Sequence, residues 1–398
     1  GGEHGAGDNV VHLLLPRIKG APAGTKGISL FVVPKYRPEN GALVSNNVHC
    51  AGIYGKMGQR GYVAAHLMYG EQGECRGYLV GQPHHGLAYM FQMMNEARIG
   101  TGLMATGAAS GAYHASLRYA QERPQGRPPS NKDVSLPQIP IIEHADVRRM
   151  LLFQKAVVEG SMSLLMYCSR LADLAHYGSG KEQQEAKLLL EMLTPIAKSY
   201  PAEMGTQSVS TGMQVLGGAG YTDDFPLEQY YRDIRVNAIY EGTTGIHGLD
   251  LLGRKVFMEK GAGVQLLQQN IRNTMIQALD RPDLMPMGQR LSDALHNWLR
   301  ITGHLTQLAQ KAAAEVFLAD ATLYLEYTAL LVQGWQWLRM ALVAEKAKPE
   351  GQADKDFYQG KLRTCRYYFE YELPKYHALH TRLLSDERLT LEMDTAWL

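Results

Sequence analysis

The pattern of apolar residues changes once along this chain, near Gly86, and this change constrains the fold more than any other feature. Before it, short apolar runs rich in Val, Leu and Phe are separated by clusters of Gly, Pro and Asn, which is typical of β-strands. Three such runs are "VVHLLLP", "GISLFVVP" and "HLMYG". After it, apolar residues recur at the spacing of one helix face, as in Leu87, Met90, Phe91 and Met94. The sequence therefore predicts a β part followed by helices.

The helical part is predicted to contain several long helices. Two patterns cover roughly residues 144–177 and 182–216, and Pro195 and Pro201 are expected to kink or interrupt the second. A third, "ATLYLEYTALLVQGWQWLRMALVAEKA", is apolar on most of its circumference, so we expect it to be buried. The segment "RPDLMPMG" at 281–288 has the composition of a linker. We predict three domains: a partial β domain (1–87), a helical bundle (88–255) and an additional helical bundle (256–398).

The first predicted helix carries four glycines, which are Gly100, Gly102, Gly107 and Gly111. Each glycine inside a helix costs about 1 kcal/mol relative to alanine. A helix that keeps four of them is expected to make close contact with another helix, or with a ligand, at those positions.

The composition limits the function classes that need consideration. The chain has 398 residues, of which 45% are hydrophobic and 20% are charged, and its formal net charge is +1. A balance so close to zero gives no general attraction to nucleic acid or to an anionic membrane. No apolar run approaches the ~20 residues that a transmembrane helix needs. Cys50, Cys75, Cys168 and Cys365 show no metal-ligand spacing, so we expect free thiols and no metal site.

The start of the chain, "GGEHGAGDNVVHLLL", has no initiator Met, no basic segment and no signal-peptide pattern. It runs into the first predicted strand within about ten residues. We therefore expect the β part to begin inside a domain, and this segment gives no indication of targeting.

The segment "QVLGGAGYTDDFPLEQYYRDIRVNAIYEGTTGI", residues 214–246, contains the most informative residues. Its turn, with Gly217, Gly218 and Gly220, can end a helix or can expose backbone N–H groups to a pyrophosphate. Glu241 is either an ordinary surface carboxylate or a base that faces a substrate. Taken alone, these residues leave both pairs of alternatives open.

The order QxxGGxGY, RD and IYEGTxxI resembles the C-terminal helical domain of the acyl-CoA dehydrogenases. The resemblance extends over nearly the whole chain. The first 35 residues resemble later strands of the family's middle β domain, "MMNEARIGTG" its first catalytic helix, and "YAQERPQGR" its flavin-binding arginine motif. The tail "DKDFYQGKLRTCRYYFEYELP" resembles a long subgroup with an extra C-terminal domain, which includes the 3-methylmercaptopropionyl-CoA dehydrogenases. The chain departs from the family's pattern at Asn95, Gly126, Arg127 and His247.

This resemblance implies a mainly helical fold with a β part, FAD as the cofactor, and α,β-dehydrogenation of an acyl-CoA thioester to the trans-2-enoyl-CoA. It makes Glu241 the base that removes the α-proton while FAD accepts the β-hydride. The residues at the family's FAD-binding positions are Arg123, Gln125, Gln214, Gly217, Gly218 and Thr243. Those at positions near the substrate are Asn95, Arg98, Tyr240 and Gly242. For Arg98, an ordinary place on a helix surface stays open as the alternative.

The resemblance also implies partners. The family shares its FAD across a subunit interface, so we expect a homodimer or homotetramer, with an electron-transfer flavoprotein as the electron acceptor. The expected location is the cytoplasm of a bacterium. The family's N-terminal helical domain and the first half of its β domain have no counterpart in the sequence. We therefore expect a chain that starts at Gly1 to bind FAD weakly or not at all.

Three alternatives to this function stay open. An acyl-CoA oxidase shares the same base and cofactor. Some relatives of the fold bind DNA in the response to alkylation damage, but residues 256–398 mix Lys and Arg with Glu and Asp and show no basic stripe. A catalytically incomplete fragment is the third alternative.

Overall fold

A computed structural model describes residues 1–131 and 133–398, which form two compact units, 1–97 and 98–398. The strands of the first unit are β1 (Val11–Leu14), β2 (Phe31–Pro34), β3 (Tyr36–Glu39), β4 (Ala42–Ser45), β5 (Val48–Ile53), β6 (Ala65–Tyr69) and β7 (Tyr78–Leu79). An antiparallel sheet has the order β1-β2-β7, and the pairs β3–β4 and β5–β6 are also antiparallel. The three apolar runs singled out in the sequence contain β1, β2 and all but the first residue of β6, so these strand predictions are confirmed.

A buried asparagine connects separate segments of the first unit. The side-chain amide of Asn46 donates to the carbonyl oxygens of Pro34 and Arg76, each at 2.8 Å. Its side-chain oxygen accepts a hydrogen bond from the backbone N–H of Arg76 at 2.9 Å. Because Asn46 is fully buried, these bonds replace the water contacts that the amide loses on folding.

The first helix, α1 (Gly86–Glu122), begins at the residue where the sequence pattern changes. The boundary between the two compact units falls inside it, after Ala97. The remaining helices are α2 (Ala145–Tyr177), α3 (Gly180–Leu216), α4 (Leu227–Ile234), α5 (Thr244–Gly253), α6 (Ala262–Leu279), α7 (Met285–Lys311), α8 (Ala314–Leu318), α9 (Ala321–Lys346), α10 (Gln352–Tyr367), α11 (Tyr376–Leu383) and α12 (Leu389–Glu392). The predicted helices at 144–177 and 182–216 correspond to α2 and α3.

Two details of the helical part differ from the prediction. The helix α3 runs without interruption through Pro195 and Pro201, so the expected interruption is wrong, and the alternative of a kink stays a prediction. The predicted linker 281–288 is wrong in its second half, because α7 already begins at Met285. A proline in the first turn of a helix removes no helical hydrogen bond, so Pro286 is compatible with this helix start.

The close approach of α1 to α3 involves one of these prolines. Pro201 has no N–H to bond the carbonyl of Ala197, four residues earlier. The oxygen of that carbonyl lies against Gly102 of α1, where a Cβ would overlap with it. A Cβ on Gly111 would lie 2.9 Å from the ring of Tyr230, so two of the four helix glycines mark tight contacts, as predicted.

The other two helix glycines, Gly100 and Gly107, do not mark contacts of this kind. Apart from the chain neighbours and the surrounding backbone of the same helix, no atom of the described residues lies within 4 Å of a Cβ built at either position. The helix-contact interpretation therefore does not apply to them.

The helix α9 is buried over most of its circumference, as predicted. The indole N–H of Trp337 donates to the Ala156 carbonyl of α2 at 3.2 Å, and that of Trp335 donates to Thr274 Oγ1 of α6 at 2.8 Å. A buried tryptophan needs such a partner for its N–H. Gly160 of α2 makes room for this packing, because a Cβ there would lie 2.8 Å from Trp337 Nε1.

One apolar cluster contains buried residues from both predicted helical domains. Leu164 of α2 and Met192 of α3 belong to the same cluster as Trp298 of α7 and Leu331 of α9. The segments before and after residue 256 therefore share a core. The domain boundary at that residue stays a prediction.

We expect Gly102→Ala to destabilise the protein by about 1–3 kcal/mol, because the new methyl group would press against the Ala197 carbonyl in a packed interior. Gly100→Ala on the same helix is the matched control, and its better helix propensity should leave stability unchanged or raise it by up to about 1 kcal/mol. Chemical denaturation measures both free energies of unfolding. Equal values for the two variants would contradict the proposed contact.

Candidate active site

Glu241 lies on the short loop between α4 and α5, after a 3-10 turn over Arg235–Ala238. Its backbone φ is 54°, and Gly242 follows with a φ of 89°. This left-handed region suits glycine but is disfavoured for a residue with a Cβ, at a cost of about 1–3 kcal/mol. Interactions with the surrounding structure must therefore hold Glu241 in this conformation.

Two buried side chains hold the backbone of this loop. The Nε2 of His247, on α5, bonds the carbonyl oxygen of Glu241 at 3.1 Å. The ammonium of Lys198, on α3, donates to the carbonyl oxygen of Gly242 at 2.6 Å. Both side chains are fully buried. Because a carbonyl oxygen only accepts hydrogen bonds, His247 must carry its ring proton on Nε2.

The charge states of these two side chains follow from their surroundings. Burial lowers the pKa of His247 to about 4, and the nearby cations Arg98 and Lys198 act in the same direction. His247 is therefore neutral near pH 7 and acts as an N–H donor. Burial also lowers the pKa of Lys198, to about 8, although the carboxylate of Glu203 opposes the shift. Lys198 is therefore mainly protonated at neutral pH.

The start of α5 is fixed by its own side chains. The hydroxyl of Thr243 caps the helix by accepting a hydrogen bond from the N–H of Ile246 at 3.4 Å. The hydroxyl of Thr244 donates to the carboxylate of Glu203 on α3. Together with Lys198 and His247, these contacts connect the Glu241 loop to two rigid helices, α3 and α5.

Arg98, on α1, is only 4% exposed, so the alternative of an ordinary helix-surface residue is wrong. Its Nη1 lies 3.9 Å from Asp250 Oδ2 on α5. The other oxygen of Asp250 accepts a hydrogen bond from Nε of Arg254 at 2.6 Å. Burial lowers the pKa of Arg98, and Asp250 opposes this shift. Asn95 lies half-buried on the part of α1 that belongs to the first compact unit.

The Glu241 loop carries an exposed apolar surface. Ile239 and Ile246, on either side of Glu241 in the sequence, are each 51% exposed. The hydroxyl of Tyr240 lies 3.8 Å from the sulfur of Met104 on α1, and Met104 is itself exposed. Exposed apolar side chains in such a group are typical of a surface that binds a ligand or another part of the protein.

Five of the six predicted FAD-binding residues line one open cleft of about 640 Å³, and they are Arg123, Gln125, Gln214, Gly217 and Gly218. The cleft lies between the end of α1, the start of α2 and the end of α3. The sixth, Thr243, is on the Glu241 loop. The structure therefore brings the predicted site residues together in two groups, and no described residue of the Glu241 loop lines the cleft.

Local backbone geometry shapes the cleft. Gly217 ends α3 with a φ of 60°, and its N–H bonds the carbonyl of Gln214, so the helix-end interpretation of the glycine turn is correct. The same turn also lines the cleft. On the other side, the N–H of Gln125 donates to the Ile139 carbonyl at 2.9 Å, and the ring of His144 bonds the Gln125 carbonyl at 2.8 Å. These bonds hold the backbone at Gln125 beside the cleft.

Sequence reasoning missed the residues that hold the Glu241 loop. Lys198 and Glu203 lie on α3, about forty residues before the loop, and neither belongs to a recognised motif. The available signal was the single charged residue in "LTPIAKSYPA", since an otherwise apolar helical stretch rarely contains a lysine without a specific partner.

Neither a metal-binding cluster nor a membrane-spanning helix is found in the described part of the chain. Within residues 1–131 and 133–398, no group of three or more His, Cys, Asp or Glu side chains is arranged to hold a metal ion. No helix in those same ranges is long and apolar enough to cross a membrane.

Two family models match the chain. The model described as acyl-CoA dehydrogenase, C-terminal domain, matches residues 84–256, and the one described as acetyl-CoA dehydrogenase C-terminal like matches residues 267–394. Together they cover most of the sequence. The chain belongs to the acyl-CoA dehydrogenase family, and the second match agrees with the predicted extra C-terminal segment.

Two curated relatives match almost the entire chain. It is 35% identical over 385 residues to 3-methylmercaptopropionyl-CoA dehydrogenase of Ruegeria pomeroyi, a match that covers 96% of this chain and 64% of the relative. It is 30% identical over 410 residues to the broad-specificity linear acyl-CoA dehydrogenase of Mycobacterium tuberculosis, with coverage of 98% and 66%. The chain therefore spans less than two thirds of the length of these relatives.

Solved structures confirm the predicted fold class, mainly helical with a β part. The fold is similar to that of ACDH-11 of Caenorhabditis elegans in complex with a CoA ligand, with a TM-score of 0.75 and 22% identity over 89% of this chain and 56% of that one. It is also similar to an acyl-CoA dehydrogenase of Bacillus anthracis complexed with FAD, with a TM-score of 0.66 and 18% identity over 94% and 64% of the two chains. At these identities the likeness concerns the fold alone.

We expect His247 to make the stability of the protein depend on pH between about 6.5 and 4. Because the pKa of His247 is lowered to about 4 in the folded state, the unfolded state binds a proton first as the pH falls. The contribution to stability is complete above pH 6.5 and about 3 kcal/mol of it is lost on the way to pH 4. Denaturation at several pH values measures this slope.

His247→Gln is the matched variant for this measurement. Glutamine keeps a side-chain N–H donor but has no group that titrates. The variant should therefore show a flatter dependence of the free energy of unfolding on pH over the same window. Identical slopes for both proteins would exclude a buried neutral histidine at this position.

Proposed function

We propose that the protein to which this chain belongs catalyses FAD-dependent α,β-dehydrogenation of an acyl-CoA thioester to the trans-2-enoyl-CoA, with Glu241 as the base. The observation that carries the proposal is the loop of Glu241. A carboxylate held in a left-handed backbone by two buried donors is not an ordinary surface residue. Membership of the acyl-CoA dehydrogenase family supports the abstraction of a proton as the role of this carboxylate.

The reaction requires a base at a fixed position. In the proposed step, the α C–H bond of the thioester breaks, and its proton moves to the carboxylate of Glu241. The electron pair left behind forms the Cα=Cβ double bond as the hydride leaves the β-carbon. When bound, FAD supplies the acceptor for that hydride. The hydrogen bonds from Lys198 and His247 fix the backbone at Glu241 and so limit the positions that its carboxylate can take. A limited set of positions favours proton transfer.

The apolar surface beside Glu241 supports the same function. Ile239, Tyr240 and Met104 offer contacts to an acyl chain or to a flavin ring, and such contacts exclude water from the carboxylate. Gly242 adds no side chain next to the base, so the reacting group can approach the loop. Thr243 at the cap of α5 is the proposed flavin contact, and Arg98 with Asn95 are the proposed contacts for the CoA part.

The cleft at the ends of α1 and α3 has a donor set that fits a diphosphate cofactor. Arg123 contributes a guanidinium, Gln125 and Gln214 contribute amides, and the glycine turn at Gly217 and Gly218 contributes backbone without side chains. Guanidinium groups and glycine turns are the protein groups that bind phosphates most readily. FAD would be held here by its adenosine-diphosphate part.

The division of the predicted site residues between the cleft and the Glu241 loop supports a shared cofactor. In the proposed arrangement, one subunit provides Glu241 and Thr243, and its neighbour provides the cleft with Arg123. This requires a homodimer or a larger homo-oligomer. An electron-transfer flavoprotein is the proposed electron acceptor, on family membership alone, and the scattered thiols favour a reducing compartment such as the bacterial cytoplasm.

In the full-length protein, we expect Glu241→Gln to lower kcat by about 10²–10⁴-fold, the usual contribution of a general base. FAD content and the free energy of unfolding should stay unchanged, because glutamine has nearly the same shape. A panel of acyl-CoA thioesters with a dye acceptor measures the rate, and flavin absorbance measures the FAD content.

Glu182→Gln on the exposed first turn of α3 is the control for this loss of activity. It removes the same charge away from both groups of site residues and should keep full activity. Full kcat in Glu241→Gln would exclude it as the base. Reduced flavin that persists in air supports a dehydrogenase, whereas rapid formation of peroxide would indicate an oxidase instead.

Mixed oligomers test whether FAD is shared. Glu241→Gln and Arg123→Gln should each be poorly active alone, the first through the base and the second through weaker FAD binding. An oligomer that contains both variants should regain activity, because one of its sites combines an intact Glu241 with an intact Arg123. Co-expression with two purification tags isolates it. Activity no greater than that of either variant alone would argue against a site built from two subunits.

A further inference from the structure

A groove of about 580 Å³ lies between α2, α6, α9 and α10, and it has no role in the proposed reaction. Its volume is within the range of about 300–1,000 Å³ that is typical of small-molecule sites. None of the described residues that line it belongs to the Glu241 loop or to the FAD cleft.

The charged side chains that line the groove are all positive. Arg170 of α2, Arg339 and Lys346 of α9, and Lys361 of α10 line it, whereas no Asp or Glu of the described chain does. Lys361 is neutralised by an ion pair with Glu159 at 2.9 Å. Within the described ranges, the other three cations form no ion pair with a carboxylate. The groove therefore attracts an anion.

The side chain of Arg339 is held in place by its neighbours. Its guanidinium carbon lies 4.3 Å from the ring centroid of Tyr167 and 5.4 Å from that of Trp335. Its Nη1 donates to Gln336 Oε1 at 3.1 Å. Because a guanidinium carries five N–H groups, donors remain for a second partner. Burial lowers the pKa of Arg339 and Arg170 acts in the same direction, so a bound anion would relieve an unfavourable environment.

Apolar side chains lie next to these cations. Met166, Val343 and Phe357 line the groove and are 52%, 68% and 57% exposed. A small inorganic anion would use the guanidinium groups and leave these side chains in water. A ligand with an anionic head and an apolar chain would use both.

We propose that this groove binds an amphiphilic anion. Its carboxylate or phosphate head lies on the guanidinium groups of Arg339 and Arg170, and its alkyl chain lies along Met166, Val343 and Phe357. A second copy of the chain fits less well, since a two-fold interface would bring the same uncompensated cations face to face. Duplex DNA fits less well too, because its backbone offers no partner for the apolar wall.

Calorimetric titration of the full-length protein with four probes tests the proposal. Decanoate and decyl phosphate carry both parts of the ligand, inorganic phosphate lacks the chain, and decanol lacks the charge. We expect saturable binding of the two amphiphilic anions, with decanol and inorganic phosphate bound at least about tenfold more weakly. The ratio of the first two affinities distinguishes a carboxylate head from a phosphate head. Equal binding of decanol would overturn the proposal.

Arg339→Met and Arg170→Gln locate the site. Each should weaken binding of decyl phosphate by about tenfold or more. Arg170 is exposed, so its variant can be tested even if Arg339→Met fails to fold. Arg363→Gln, on the exposed side of α10, is the matched control and should change nothing.

Two outcomes would contradict the assignment. Unchanged binding in both arginine variants would place the amphiphile elsewhere, for instance at the proposed active site. A changed sedimentation coefficient in these variants, without any amphiphile binding, would make the groove an interface between copies. Because binding is measured without turnover, the result does not depend on the proposed dehydrogenase activity.

Discussion

Two hydrogen bonds to consecutive backbone carbonyls, from His247 to Glu241 and from Lys198 to Gly242, are the interactions on which the proposed active site depends. A left-handed backbone at a glutamate costs about 1–3 kcal/mol. A hydrogen bond from a charged group contributes about 1.5–3 kcal/mol, so the bond from Lys198 alone is of the right size to offset that strain. The conformation of the loop therefore depends on side chains of α3 and α5, and the residues of the loop alone do not fix it.

The charge states of His247 and Lys198 also suit these two hydrogen bonds. A buried histidine next to two cations stays neutral, and its Nε2–H donates to the carbonyl oxygen of Glu241. A buried lysine keeps a proton at neutral pH, and Glu203 supports it. Glu203 also accepts a hydrogen bond from Thr244, the first residue of α5, so one carboxylate favours the charged form of Lys198 and binds the start of this helix.

Much of the fold and part of the site could be predicted from the sequence. The change in periodicity at Gly86 located the β part and α1, because side-chain spacing follows directly from backbone geometry. The motif order located Glu241 and the residues of the cleft. Lys198 and Glu203 could not be found this way, since their contacts to the loop span more than forty positions. Gly100 and Gly102 look alike in the sequence, and only the packing of α1 on α3 distinguishes them.

The differences between the predicted and the observed helices α3 and α7 have local physical causes. The continuous α3 was unexpected because a proline removes a helical hydrogen bond, yet the carbonyl freed by Pro201 lies against the backbone of Gly102, which has no side chain to obstruct it. The early start of α7 follows from the tolerance of a first helical turn for Pro286.

The contact between Gly160 and Trp337 has a consequence for the substitutions that the chain can tolerate. These residues lie on either side of residue 256, in segments that two different family models match. A side chain at position 160 would require a smaller residue at position 337, and a smaller residue there would leave a void in the shared core. A side chain added at position 160 is therefore expected to need a matching change at position 337, so the packing of the two segments is interdependent.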